Sequence, residues 1–156
     1  MKIIVAIDQS AFAADVLEFI SKHRWSDADH FTVVHAIEPL LIGSYLSFLP
    51  SPIVDEIKQK AREEGQKSVH KAAETLRANF PQATVDEMLL DGFVVDSIVE
   101  LATTLPADVI VIGSHGHRGI NKFTLGSVAR SISSQAHCSV LIVNSSNSSS
   151  DKKKTQ

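Results

Sequence analysis

Between Ile110 and Ser127 the chain reads I-V-I-G-S-H-G-H-R-G-I-N-K-F-T-L-G-S. These residue types suit one kind of chemistry, the cradling of an anion. Gly113, Gly116 and Gly126 let backbone N–H groups approach a phosphate with no side chain in the way. Ser127 opens a helix pattern, and a helix start offers unpaired N–H groups and the positive end of its dipole. His115, His117, Arg118 and Lys122 make the loop basic, with no acidic residue among them. Glycines after a strand also serve plain turn chemistry. The context separates the two readings: a buried run, Ala107 to Ile112, precedes the loop and a helix follows it. The loop is therefore expected to hold a nucleotide or another phosphorylated ligand.

Elements must now be found that bring a second wall to this cradle. Lys2 to Asp8 is a continuous branched run ending in a carboxylate, which predicts a fully buried parallel strand. Ser10 then reads as the N-cap of a helix whose Phe12, Ala13, Val16, Leu17 and Ile20 recur at helical spacing. His30 to Ala36 predicts a second strand. Ser51 and Pro52 suit the N-cap and first position of a long helix running to about Asn79, with Asp55 and Glu56 in its first turn. Its stripe is Ile53, Ile57, Ala61, Val69, Ala72, Ala73 and Leu76, one face for the sheet and the other for water. Thr84 to Leu90 alternates as a third strand. A third helix carries Val94, Ile98, Leu101, Ala102 and Leu105 inward. Ala107 to Ile112 is the fourth strand, Ser127 to about Ala136 a fourth helix, and Ser139 to Val143 the fifth strand.

Strands alternating with helices through short links imply right-handed crossovers. The expected fold class is α/β, a doubly wound five-stranded parallel sheet of order 3-2-1-4-5 with helices on both faces. In that order strands one and four are neighbours where the winding reverses, and ligands bind outside the carboxyl ends of strands at such a point. Asp8 and Gly113 should thus converge on one crevice.

Other residues divide between a plain and a sharper reading. Asp8 either caps the Ser10 turn or serves as a ribose or metal ligand. Ser127 is a helix N-cap, a phosphate ligand, or both. His115 and His117 lack a third ligand for a metal and read as phosphate donors or solvated side chains. His35 reads as a satisfied core histidine, and Cys138 as packing with no base beside it. The apolar stretch Pro39 to Pro52, broken by Gly43 and prolines, reads as a cover for the sheet edge or for a seam between two copies of the chain, with a cover over the nucleotide as the sharper alternative.

Composition bounds the rest. The chain has 156 residues, 44% hydrophobic and 21% charged, which suits one globular domain, expected over residues 1–143. Asn144 to Gln156 is polar and low in complexity, an expected disordered tail, and its Lys152-Lys153-Lys154 run reads as solvated. A formal charge of −3 argues against nucleic acid held by broad phosphate neutralisation. One cysteine allows no intrachain disulfide. No run approaches membrane-spanning length, and Met1-Lys2 leads straight into a strand, so a cytoplasmic protein is expected.

The pattern G-S-H-G, nine residues, G-S, downstream of I-V-A-I-D-Q-S and H-A-I-E, resembles the ATP-binding branch of the universal stress protein family from Lys2 to Val143. The resemblance implies the same sheet order and an adenine nucleotide, ATP or else ADP or AMP, over the switch point. It also implies a homodimer paired through the strand Ser139 to Val143. Carried over residue by residue, Ala6 and Asp8 border adenine and ribose, Ala36 packs on the adenine, and Ile112 and Gly113 flank the ribose and first phosphate. Gly116, Gly126, Ser127 and Val128 hold phosphates, largely through backbone groups. Gln9 and Phe93 depart from common family choices.

Any Mg²⁺ would be held by the phosphates and water rather than by the chain. The function expected is that of a nucleotide-binding regulatory, stress-response protein. The alternatives are a slow ATP-hydrolysing or phosphate-transferring enzyme and an interaction module that binds no nucleotide. No general base stands out, so no catalytic residue is assigned.

Overall fold

The computed structural model describes residues 1–10, 12–26, 28–39, 50–115 and 125–144. The branched apolar runs form the strands β1 (Lys2–Ala6), β2 (His30–Ile37), β3 (Thr84–Asp91), β4 (Val109–Gly113) and β5 (Ser139–Val143). The amphipathic stretches form α1 (Phe12–Lys22), α2 (Ser51–Asn79), α3 (Val94–Thr104) and α4 (Ser127–Gln135). All pairings are parallel, and the sheet order is β3-β2-β1-β4-β5. This is the doubly wound order predicted from the alternation of elements.

Successive strand residues face opposite sides, so the central strands feed two cores. Ile3, Val5, Phe31 and Val33 pack with Val16 and Ile20 of α1 and with Val69, Ala73 and Leu76 of α2. Ile4, Ala6, Val34, Ile110 and Ile112 pack on the other face with Ile98 and Leu101 of α3 and Ala129 and Ile132 of α4. The branched runs at residues 3–5 of β1 and 109–112 of β4 follow from burial on both faces.

Three of the boundaries that differ from the sequence reading do so for a clear local reason. β1 ends at Ala6 rather than Asp8, because the Asp8 carboxylate accepts from the Ser10 N–H at 3.1 Å and from the Ser10 hydroxyl at 2.5 Å. That side-chain turn lifts the chain out of the ladder. β4 starts at Val109, not Ala107, because the Ala107 N–H is spent on the Ala102 carbonyl at 2.9 Å, closing α3. Ser51 is not the N-cap of α2: Pro50 is, at φ −57° and ψ 139° and with no side-chain cap, and no acid lies in the first turn, so Asp55 and Glu56 come too late to serve it.

The stripe of α2 is also only partly buried. Val69, Ala72, Ala73 and Leu76 are inside, but Ile53 and Ile57 are 42% and 37% exposed. Length explains this. Twenty-nine helical residues span about 44 Å, while the eight residues of β3 span about 26 Å. The helix overruns the sheet, and its first turns have no sheet to cover.

The Pro39 to Pro52 cover falls mostly outside the described residues, as does the tail from 145 onward.

Candidate functional site

β1 and β4 run side by side, with Ala6 opposite Ile112. Beyond their carboxyl ends lies a cavity of about 820 Å³. Eight of the residues singled out in the sequence line it: Ala6, Asp8, Ala36, Ile112, Gly113, Gly126, Ser127 and Val128. Gly116, with His117, Arg118 and Lys122, lies outside the described residues.

The β1 side is shaped by a rung that is missing. The β1–β2 register runs to Ala6 opposite Val34, and the Ile7 N–H adds one bond to the Val34 carbonyl at 3.0 Å. The next rung would join the Ala36 N–H to the Ile7 carbonyl. It is not made. Instead the His35 ring donates from Nδ1 to that carbonyl at 3.1 Å. A strand residue turns its N–H and C=O to the same side, alternating along the chain. Val34 faces β1, so Ala36 does too, and its backbone donor and acceptor look into the gap where β1 has bent away.

Asp8 follows that bend. One carboxylate oxygen is tied to Ser10, and the Ser10 hydroxyl oxygen accepts from the Phe12 N–H at 3.3 Å, so the turn and the start of α1 are one unit. The second Asp8 oxygen has no protein partner among the described residues. The plain reading of Asp8 holds, since it caps the turn, and the residue also lies on the cavity wall.

On the β4 side, the Ser114 N–H donates to the Val143 carbonyl, and the Gly126 N–H to the Ser114 carbonyl, both at 2.8 Å. Ser114 is buried, and its hydroxyl pairs with His115 Nδ1 at 2.9 Å. These bonds hold the start of α4 against the end of β4. The N-cap of α4 is Gly126, at φ −58° and ψ 153°, with no side-chain cap. Ser127 is thus the first helical residue and not the N-cap. Among the described residues no side chain caps this helix start, and Ser127 and Val128 line the cavity.

The cavity also takes residues that the sequence reading assigned to the core or passed over. Phe12, Ala13 and Val16 of α1 and Ala61 of α2 form one wall, while Val94 and Ile98 of α3 form another. His35 and Glu38 complete the β2 side. A helical stripe looks alike whether it meets a sheet or a crevice, so only the position past the strand ends would have marked them. Asp8, His35, Glu38 and His115 are the titratable groups among the described lining residues, which include no lysine or arginine. No cluster of three or more metal-binding side chains occurs among the described residues. Cys138 lies apart from the cavity, packed at the start of β5, where burial pushes its thiol up from the ordinary value. That suits packing rather than nucleophilic chemistry.

Fold and crevice together define a doubly wound α/β domain with a cavity at the switch point. Comparison with known proteins gives the family. Residues 1–144 match the universal stress protein family, and the chain belongs to it. Universal stress protein A homolog 1 of Coxiella burnetii is 33% identical over 143 residues, which cover 90% of this chain and 94% of that one. Among solved structures, a universal stress protein of Methanocaldococcus jannaschii superposes with a TM-score of 0.79 at 24% identity, covering 94% of this chain and 97% of that one. The universal stress protein of Archaeoglobus fulgidus in complex with dAMP is 27% identical, with a TM-score of 0.59 over 92% of this chain and 97% of that one. Among the described residues no helix is long and apolar enough to cross a membrane.

Proposed function

We propose that the chain binds an adenine nucleotide, ATP in the first place with ADP and AMP as alternatives, across the carboxyl ends of β1 and β4. The observation that carries this reading is one cavity with two complementary ends. At one end stand the backbone donor and acceptor of Ala36 and one oxygen of Asp8, none of them with a partner among the described residues. At the other stands the uncapped start of α4.

Adenine offers a ring-nitrogen acceptor beside an amino donor, complementary to the N–H and C=O of one strand residue. The apolar side chains of Ala6, Ala36 and Ile112 suit a flat ring and a sugar, and the Asp8 oxygen accepts a ribose hydroxyl. Phosphates then meet the N–H groups of Ser127 and Val128 and the helix dipole, which favour an anion. Gly116 belongs to this proposed phosphate end on the sequence resemblance. Any Mg²⁺ would be held through the phosphates and water.

The biological reading is a homodimeric regulator in the stress response, located in the cytoplasm, whose nucleotide occupancy carries the signal. Pairing through β5 is supported by its place at the sheet edge, with Val140, Leu141 and Ile142 half-buried. We assign no catalytic residue. Mass spectrometry of the nucleotide that co-purifies, followed by calorimetry of the stripped protein with ATP, ADP and AMP in the presence and absence of Mg²⁺, tests the reading. An adenine nucleotide in the first experiment and saturable binding in the second are expected. No binding of any of the three would overturn it.

A further inference from the structure

We infer that His35 is a positioning residue that keeps the base-reading edge of the cavity open, and that position 65 of α2 is glycine in order to admit its ring. The inference rests on the adenine-nucleotide reading of the cavity and names a device within it. The argument begins with competition for one carbonyl. In a parallel ladder the partner of the Ile7 carbonyl is the Ala36 N–H. The His35 imidazole takes that place at 3.1 Å. A carbonyl only accepts, so the ring proton is on Nδ1. Without this bond, the β1–β2 register makes the Ile7 carbonyl and the Ala36 N–H partners for the next rung. The ladder would then close by one rung and consume the donor that faces the cavity. His35 holds β1 and β2 apart at the one place where the ligand needs a free strand edge.

The second observation is on the opposite side of the ring. α2 crosses His35 and its register neighbour Leu89 at Gly65. A Cβ on residue 65 would stand 2.8 Å from His35 Cδ2 and 3.3 Å from Leu89 Cδ2. The ring has little room to retreat, since moving it breaks the bond to Ile7. A glycine in a helix interior is destabilising relative to alanine, so local preference alone would disfavour it at the middle of a 29-residue helix. One turn earlier, Ala61 lines the cavity. Helix, histidine and strand edge thus form one stack, in which Gly65 leaves room for His35 and His35 leaves Ala36 free.

The test separates the two ends of the ligand. Calorimetry with adenosine, ATP and inorganic tripolyphosphate is run on wild type, His35→Leu, His35→Asn and Gly65→Ala. His35→Leu keeps apolar bulk but no donor, and should weaken adenosine and ATP by about tenfold while leaving tripolyphosphate within about twofold of wild type. His35→Asn supplies an amide donor near the Nδ1 position and should recover most of the loss. Gly65→Ala should resemble His35→Leu in binding, although helix propensity alone predicts only a more stable protein. A His35→Leu protein with wild-type adenosine affinity would overturn the inference and leave the site reading intact. Equal losses for adenosine and tripolyphosphate would also overturn it, by showing general loosening. Wild type that binds neither adenosine nor ATP would overturn the site reading, and the inference with it.

Discussion

The Gly126 N–H donates to the Ser114 carbonyl at 2.8 Å, and a Cβ on residue 126 would stand 2.9 Å from that same oxygen. The glycine is thus required first by the protein's own backbone, which closes the loop on itself before any ligand arrives. Because the obstructing atom is backbone, a side chain here must move the start of α4 relative to β4. Gly126→Ala and Gly126→Val are expected to lower ATP affinity by about tenfold or more, at least about 1.4 kcal/mol. Adenosine affinity and the far-ultraviolet circular dichroism should stay close to wild type. Calorimetry in which Gly126→Val binds ATP as wild type does would remove α4 from the site.

Asp8 and Ser10 allow a similar separation at the other end. Ser10→Ala removes both the hydroxyl donated to Asp8 and the acceptor of the Phe12 N–H. It should cost about 1 kcal/mol of stability and shift ATP affinity only modestly, since the free Asp8 oxygen remains. Asp8→Ala leaves α1 to the Ser10 hydroxyl but deletes that oxygen, and should weaken adenosine and ATP in parallel. Denaturation and calorimetry on the two variants test this. A Ser10→Ala protein that loses ATP as fully as Asp8→Ala would mean that the turn, not the carboxylate oxygen, matters.

Much of this was legible in the chain. The runs at Lys2 to Asp8 and Ala107 to Ile112 read as strands because burial on both faces leaves no room for alternation, and right-handed crossovers were consistent with the observed sheet order. The two polar strand ends pointed to one crevice for the same reason. What stayed hidden depends on where elements stop relative to one another. Ile53 and Val69 belong to one helical stripe, yet one is exposed and the other buried, because nothing in the period says where the sheet ends beneath α2. His35 reads as a satisfied core histidine and is satisfied, but by a carbonyl that another strand would otherwise use, a fact that needs the register of β1 against β2. Gly65 sits in a helix pattern that tolerates it, so its neighbours appear only in three dimensions.

Glu87 on β3 links stability to pH. It accepts from Arg77 at 2.8 Å and from His70 at 3.2 Å. Burial pushes its carboxyl up, but the hydrogen bonds from Arg77 and His70 outweigh that and hold it below its ordinary value of 4.5. A carboxyl depressed in the folded state contributes stability that is complete above the ordinary value and is lost as pH falls through the folded one. Wild type should therefore lose stability on acidification below about pH 5. Glu87→Gln should be less stable near neutrality by on the order of 1 kcal/mol and show a flatter acid limb. Urea denaturation across this range checks both, and parallel acid limbs for the two proteins would contradict the assignment.

The two edges of the sheet differ in a way that bears on the proposed dimer. On β3 the Thr84 N–H points inward to the Asp29 carbonyl, so the Val85 carbonyl points outward, where Arg77 Nη2 caps it at 2.8 Å. A charged group on an outward carbonyl discourages another strand from pairing there. On β5 the Ser139 N–H points inward to Asp108, and the Val143 carbonyl inward to Ser114, so the polar groups of Val140 and Ile142 face out. Among the described residues no side chain caps them. Proline is tolerated in an edge strand when the lost N–H faces outward. Val140→Pro should thus abolish pairing through β5 while sparing the β4 ladder, and Arg77→Ala should leave pairing intact. Light scattering at micromolar concentration is expected to give dimer for wild type and Arg77→Ala, and monomer for Val140→Pro. A wild type that is monomeric, or a Val140→Pro protein that stays dimeric, would move the interface away from β5.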